Sequence, residues 1–387
     1  MLPKDFTAEA SGRVVKSLEG NWAFEPDPLP PDFSWTTSLV ATLSAADNAL
    51  GLLAGLGLRL PNPQRLVRMF LRREAELSSR IENTYARVQT MLLFDQIPAI
   101  EREAPSVREV DNNFRALEFA LQSAQRRRLT RSLIREMHQI LLTGVRGHDQ
   151  TPGQFRKVQA HIGRSRNIAE ARFVPCPPHA IEPAMEALES YLQRRDDLPP
   201  LVRAAIVHYQ FETIHPFVDG NGRVGRVLLL LQLVRENVLP APLLNPSAQL
   251  ERHRREYYDR LLDVSQRGDW TAWIAFFARS ITEEAIDAAK RVERLESLRE
   301  KYLTMVRTKR ASVLFQPLID ELFVEPSITG KRASELLGIR PSNAQKLLDK
   351  LVDVKILREV TGQQRGRVYL AQGIVDLFST DPIRKDN

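Results

Sequence analysis

Two apolar runs flank a short polar turn in this chain, and together they leave little choice of architecture around it. The stretch reads FETIHPFVDGNGRVGRVLLLLQLV, residues 211–234. Before the turn, LVRAAIVHYQFETI (201–214) repeats its apolar residues at helical spacing, and Ala204 and Ala205 favour helix. After it, VLLLLQLV (227–234) is apolar nearly all round, as in a helix at the centre of a domain. The turn therefore joins two core helices. Gly220 and Gly222 let its backbone turn tightly and present N–H groups at the start of the second helix. Unpaired donors and the helix dipole favour an anion at that place.

The side chains of the turn suit a phosphate ligand. Arg223 and Arg226 are three apart and share a helix face, and two fixed guanidinium groups beside an anion nest fit a di- or triphosphate. Asp219 offers one carboxylate, which suffices for Mg²⁺ when substrate phosphates supply the other ligands. His215 is a candidate general base. Asn221 can donate an amide hydrogen bond to a phosphate oxygen, and Phe217 packs inward to fix the loop. Gly220, Gly222 and Gly225 match GxGxxG, but a dinucleotide fold needs a strand before that pattern and an acid about 20 positions after it, and neither is present. No Walker lysine, second Glu-x-x-His or HExxH accompanies the turn, which excludes P-loop, di-iron and zincin readings.

The whole chain has 387 residues, which suggests two or three domains or one core with appendages. Its 55 basic and 48 acidic residues are intermixed, so the net charge of +7 is weak evidence for a nucleic-acid partner, and Arg126–Arg128 read as a solvated helix face. Cys176 is the only cysteine, so no intramolecular disulfide forms, which fits a reducing compartment. No apolar run follows the first charges, and the greasiest segments (49–60 and 227–234) are shorter than the roughly 20 residues of a spanning helix. The expectation is a soluble cytoplasmic protein.

Residues 1–36 look extended, 37 to about 100 helical with a break at LPNP (60–63), and 107–145 give two helices, with Asp111 and Asn112 opening one and Gly144 ending the other. Residues 151–178 read as a small exposed hairpin. Helix resumes at 179–195 and 201–214; residues 246–285 give two more helices, and 283–310 a charged one with Ile286, Val292, Leu295 and Leu298 as its buried stripe.

The stretch HPFVDGNGRVGR (215–226) resembles the signature of Fic-domain proteins, HPFx(D/E)GNGRxxR, at every fixed position. The likeness extends over roughly residues 75–285, including a hairpin flap at about 155–175. It implies a mainly α fold: a Fic-type helical core with a small β-hairpin flap, plus a C-terminal winged helix. The implied activity is transfer of AMP from ATP to a Tyr, Thr or Ser hydroxyl of a target protein. His215 would take the hydroxyl proton and Asp219 would hold Mg²⁺. Gly220, Asn221 and Gly222 would form the anion hole, and Arg223 and Arg226 would bind the outer phosphates. Doc-like kinases depart from the signature at the glycine and arginine positions kept here.

Upstream, LSSRIENT (77–84) fits the family's inhibitory pattern (S/T)xxxE(G/N) at Ser78, Glu82 and Asn83, which implies an N-terminal helix that sets Glu82 against Arg226. The resemblance also makes VQAHIG (158–163) the edge on which a target segment, from another protein or the chain itself, docks by main-chain hydrogen bonds. It places Tyr257 and Tyr258 near adenine and makes a homodimer plausible. Residues 331–370 resemble a winged helix with 341–352 as recognition helix, and Lys346, Lys350, Arg365 and Arg367 could contact DNA phosphates. The expected division is 1–105 (inhibitory motif), 106–285 (Fic core), 286–310 (connecting helix) and 311–387 (winged helix). The competing reading is a nucleotide-sensing, DNA-binding transcriptional regulator.

Overall fold

The computed structural model describes residues 1–59, 64–94, 97, 105–163, 165, 167–194, 196–306, 313–363 and 365–379. Among them helix dominates, with two small antiparallel sheets. The chain begins with a hairpin, β1 (Gly12–Lys16) paired to β2 (Trp22–Pro26) from Gly12↔Pro26 to Lys16↔Trp22. The extended chain expected at 1–36 is therefore a paired one. Phe24 donates its N–H to Val174 O at 2.9 Å, which lays the hairpin against the end of the 155–176 segment.

Helices α1 (Thr37–Arg59) and α2 (Gln64–Ile81) follow, and the break expected at 60–63 lies outside the described residues. At 23 residues and mean hydropathy 1.5, α1 is by length and composition apolar enough to cross a membrane, which the shorter run at 49–60 did not suggest. Here it sinks Leu39, Leu43, Leu50 and Leu53 into the core against a long helix, α11 (Trp270–Val306). Next come α3 (Val88–Phe94), α4 (Pro105–Ala124) and α5 (Arg131–Leu142). Asp111 and Asn112 do not open α4 but stand buried inside it. Pro105 opens it, since proline lacks only an N–H that the first helical position leaves unpaired anyway. Thr130 caps α5, accepting from Leu133 N at 3.3 Å, and Gly144 at φ +66° turns the chain away after it. Among the described residues the expected hairpin at 151–178 shows one bridge, Ile162 to Phe173, with N···O distances of 2.8 and 3.1 Å.

The core then fills with α6 (Pro178–Gln193), α7 (Pro200–Ile214), α8 (Asn221–Arg235), α9 (Ser247–Arg252), α10 (Arg254–Arg267) and α11. As their even hydrophobicity demands, α7 and α8 are buried on nearly every face. They approach closely because residue 225 is glycine: a Cβ there would lie 2.3 Å from Glu212 Oε1 and 3.0 Å from the Phe211 ring. Across them runs α11, with Trp273 Nε1 donating to Ala205 O at 2.9 Å. It is one continuous helix, so the boundary expected at 285–286 falls inside it. Its buried stripe is Ala285, Ala288, Ala289, Val292 and Leu295; Ile286 is 40 % exposed, being 100° round the helix from Ala285.

The C-terminal elements are α12 (Phe315–Val324), β3 (Ser327–Thr329), α13 (Gly330–Leu337), α14 (Pro341–Asp353), β4 (Arg358–Glu359), β5 (Val368–Leu370) and α15 (Gln372–Phe378). The antiparallel sheet has the order β3-β5-β4, and Gly338 at φ +63° makes the turn between α13 and α14. Arg65–Asp320 at 2.9 Å and Arg72–Glu325 at 2.8 Å join α12 to α2.

Candidate active site at the turn between two core helices

The turn from α7 to α8 is held by its own asparagine. Asn221 Oδ1 accepts from Phe217 N and its Nδ2 donates to Phe217 O, both at 2.8 Å. Both ends of the amide thus clamp the loop; its NH₂ group carries a second N–H, so the expected bond to a phosphate oxygen is compatible with this clamp. Phe217 is fully buried, stacked on His138 with ring centroids 3.8 Å apart and tilted against Phe155. Gly220, at φ +80°, lets the chain enter α8, and no side chain caps that helix. The first-turn N–H groups of α8 thus face the turn as an anion site.

His215 ends α7 in the left-handed conformation, φ 53°. That conformation is uncommon for a residue with a side chain. Its Nδ1 lies 3.2 Å from Glu212 O. A carbonyl only accepts, so Nδ1 carries the proton and Nε2 keeps its lone pair. Burial, with the Arg156 cation beside it, lowers the imidazole to about 4. The ring is therefore a neutral base near neutral pH.

Asp219 Oδ1 accepts from Gly220 N at 2.6 Å and from Arg223 Nη2 at 3.4 Å, and its side chain is 38 % exposed. Arg223 is 2 % exposed, with Glu109 Oε2 at 3.8 Å from Nη1. Its Nε and Nη1 have no hydrogen-bond partner among the described residues. A buried guanidinium with orphaned donors beside an open carboxylate and a helix N-terminus is a complement for a phosphate chain. The donor set fits Mg²⁺ held jointly by Asp219 and phosphates. It does not fit an all-protein cage, since no group of three or more metal-binding side chains exists among the described residues.

Arg226, 1 % exposed, is engaged by α2. Its Nε donates to Ser78 Oγ at 2.9 Å, and Nη2 donates to Ser78 O at 2.9 Å and to Glu82 Oε1 at 2.8 Å. Burial opposes the Glu82 charge, but Arg226 overcomes it and holds the carboxyl below its usual range. The same Glu82 oxygen would lie 2.2 Å from a Cβ on Gly222, so the carboxylate sits against the helix N-terminus itself. Asn83 follows at φ 59° and ends α2; an asparagine or glycine tolerates that backbone best. Arg254 Nη1 donates to Asn83 Oδ1 at 2.8 Å. Ser78 and Glu82 thus meet on Arg226, while Asn83 turns the chain and bonds Arg254.

Tyr257 and Tyr258 part company. Tyr257 is 1 % exposed and hydrogen-bonded to His208 Nε2 at 2.8 Å among core aromatics, so it offers no face to a base. Tyr258 is half-buried beside Arg254. Two residues of the site escape the sequence altogether. His138 accepts from Gly153 N at Nδ1 (2.8 Å) and so donates from Nε2 to Asp219 O (2.9 Å), fixing the loop. Arg156 donates from Nε to His215 O at 2.8 Å. Both act on backbone carbonyls, which every residue type has, so no spacing or partner residue announces them.

Residues 128–233 match the Fic/DOC family, and residues 40–122 match the Fic/DOC family N-terminal region. A protein adenylyltransferase Fic from Nematostella vectensis is 34 % identical over 143 residues, which is 36 % of this chain and 32 % of that one. Protein adenylyltransferase fic-1 from Caenorhabditis elegans is 30 % identical over 180 residues, 46 % of this chain and 32 % of that one. The chain thus spans about a third of the length of these relatives. A Fic family protein from Desulfovibrio desulfuricans shares the fold with a TM-score of 0.56 at 20 % identity, covering 89 % of this chain and 98 % of its own. Fic-1 from C. elegans does so at 0.51 and 22 %, covering 68 % and 74 %.

Proposed function

We propose that this chain, whose residues 128–233 match the Fic/DOC family and 40–122 its N-terminal region, transfers AMP from ATP to a hydroxyl of a target protein. The observation that carries this reading is the buried Arg223, with two orphaned nitrogen atoms, beside Asp219, the start of α8 and the free Nε2 of His215. The target oxygen attacks the α-phosphorus as His215 Nε2 takes its proton. The bond to pyrophosphate breaks on the opposite side. Arg223, Arg226 and the N–H groups of α8 bind the departing phosphates, so positioning and charge neutralisation do most of the work. Asp219, together with the phosphates, would hold Mg²⁺, which would neutralise further phosphate charge when bound. Tyr258 is the adenine-facing tyrosine in this scheme, and 158–163, where Val158 is 55 % exposed, is the docking edge for the target.

The resting enzyme is restrained by its own Glu82. The 2.8 Å pair with Arg226 supports this, because it occupies the guanidinium that an outer phosphate needs and crowds Gly222. ATP then binds with its α-phosphate misaligned. ATP labelled at the α-phosphate, incubated with Mg²⁺, should leave label on protein when Glu82 is glycine and none when His215 is also alanine. Label that survives loss of His215 would overturn the mechanism. We place the enzyme in the cytoplasm, in keeping with its buried single cysteine.

A second reading, a nucleotide-sensing DNA-binding regulator, is favoured by the C-terminal helices and sheet, which we read as a winged helix. Lys346, Lys350, Arg365 and Arg367 are all exposed there. Salt-dependent DNA binding that weakens when Lys346 and Arg365 are neutralised would support it. An unchanged affinity would refute it.

A further inference from the structure

Arg156 is an oddity: a 2 % exposed cation that no carboxylate pairs with among the described residues. Its partners are carbonyls. Nε donates to His215 O at 2.8 Å, Nη2 to Ile214 O at 3.4 Å and to Cys176 O, and Nη1 to Val158 O at 2.9 Å. Its own N–H donates to Pro216 O at 2.8 Å. Ile214 O and His215 O lie at the C-terminus of α7, where carbonyls lack helical partners and the dipole is negative. One side chain therefore closes the end of α7 and grips both roots of the 155–176 segment.

We infer that Arg156 is the positioning residue that holds His215 in its left-handed turn and registers the target-docking segment against it. The His215 conformation is what brings Nδ1 back to Glu212 O and leaves Nε2 free. With its carbonyl released, residue 215 relaxes toward ordinary helical backbone and the ring loses that bond. Arginine is needed because a planar fork can reach several carbonyls in fixed directions, whereas a lysine ammonium cannot. The charge acts in the same sense as the geometry. Glu82 from α2, Asp219 from the turn and Glu212 from α7 itself face the imidazole with negative charge or a carbonyl, and Arg156 opposes their pull toward protonation. Val158 O and Cys176 O, on the same guanidinium, tie the docking edge to the base, so a hydroxyl delivered there meets Nε2 in register.

The kinetic arm of the test rests on the AMP-transfer reading; a spectroscopic arm does not. In the Glu82→Gly background, Arg156→Gln should lower kcat about a hundredfold, the scale expected of a misplaced catalytic group. Arg156→Lys should recover only part of it, and both should bind ATP as the parent does. The ring ¹H–¹⁵N spectrum of His215 should change from one Nδ1–H tautomer to a mixture, while His208 keeps its Nε2 bond to Tyr257. An unchanged kcat and an unchanged His215 spectrum in Arg156→Gln overturn the inference. So does a parallel fall in kcat, ATP affinity and melting temperature with the His215 tautomer intact, which marks a merely structural role. If no variant, the parent included, incorporates AMP, the transferase reading fails and the His215 spectrum still decides the role of Arg156.

Discussion

At the scale of single residues the site is a set of groups kept in unusual states by their neighbours. His215 is the clearest: burial and Arg156 depress its pKa to about 4, below the usual 6.5. The base form exists above the pKa, so kcat/KM of the Glu82→Gly enzyme should stay flat as pH falls from 8 through 6 and drop only toward 4. An ordinary histidine would already have halved the rate near 6.5. Asn221 supplies a second prediction. Asn221→Ala removes both partners of a buried peptide unit at Phe217 and should cost about 2 kcal/mol, read as a fall in the urea midpoint. The residues between 215 and 226 are legible in sequence because they are contiguous and their types are those that phosphate chemistry requires. Their exact duties were less so: the clamp that Asn221 places on the Phe217 backbone leaves no trace in its residue type. His138 and Arg156 were illegible because they come from 77 and 59 positions away, as 215 − 138 and 215 − 156 give, and their hydrogen bonds go to backbone groups that every residue type has.

At the scale of elements, α2 is the unusual one. It is polar yet buried on every side, with Arg73, Glu74, Glu76, Ser78 and Ser79 all inside. Each finds a partner: Arg73 reaches Glu284 at 3.1 Å and Asn245, Glu74 accepts from Ser247, and Asn113 holds Ala75 O and Ser79 Oγ. Such a helix is specified by its contacts and can be released by them. Burial raises the Glu74 carboxyl to about 7. A raised carboxyl binds its proton more tightly folded than unfolded, so its contribution falls as pH rises from the unfolded value near 4.5 through 7 and is flat above. Glu74→Gln should remove that slope, roughly 3 kcal/mol between those limits, in urea unfolding series across the range. An unchanged slope would refute the assignment. The apolar helices α7 and α8 follow from hydrophobic pattern alone, whereas the start of α4 at Pro105 and the β1–β2 hairpin do not. A proline at the first helical position and strand pairing by backbone bonds leave a weak trace in side-chain periodicity.

At the scale of the whole molecule, α2 links the parts. Its first turns are ion-paired to α12 through Arg65–Asp320 and Arg72–Glu325, its middle rests on α9 and α11, and its last turn carries Glu82 to Arg226. The C-terminal elements therefore touch the same helix whose far end brings Glu82 to Arg226. The central claim is that the turn between α7 and α8 is an AMP-transfer site held shut by that glutamate. Intact-mass spectrometry of the full chain after incubation with ATP and Mg²⁺ tests it most directly. Glu82→Gly protein should gain the mass of AMP on itself or on an added acceptor protein at least tenfold faster than wild type, and Glu82→Gly with His215→Ala should gain none. Equal rates for wild type and Glu82→Gly, or an AMP adduct that persists without His215, would contradict it.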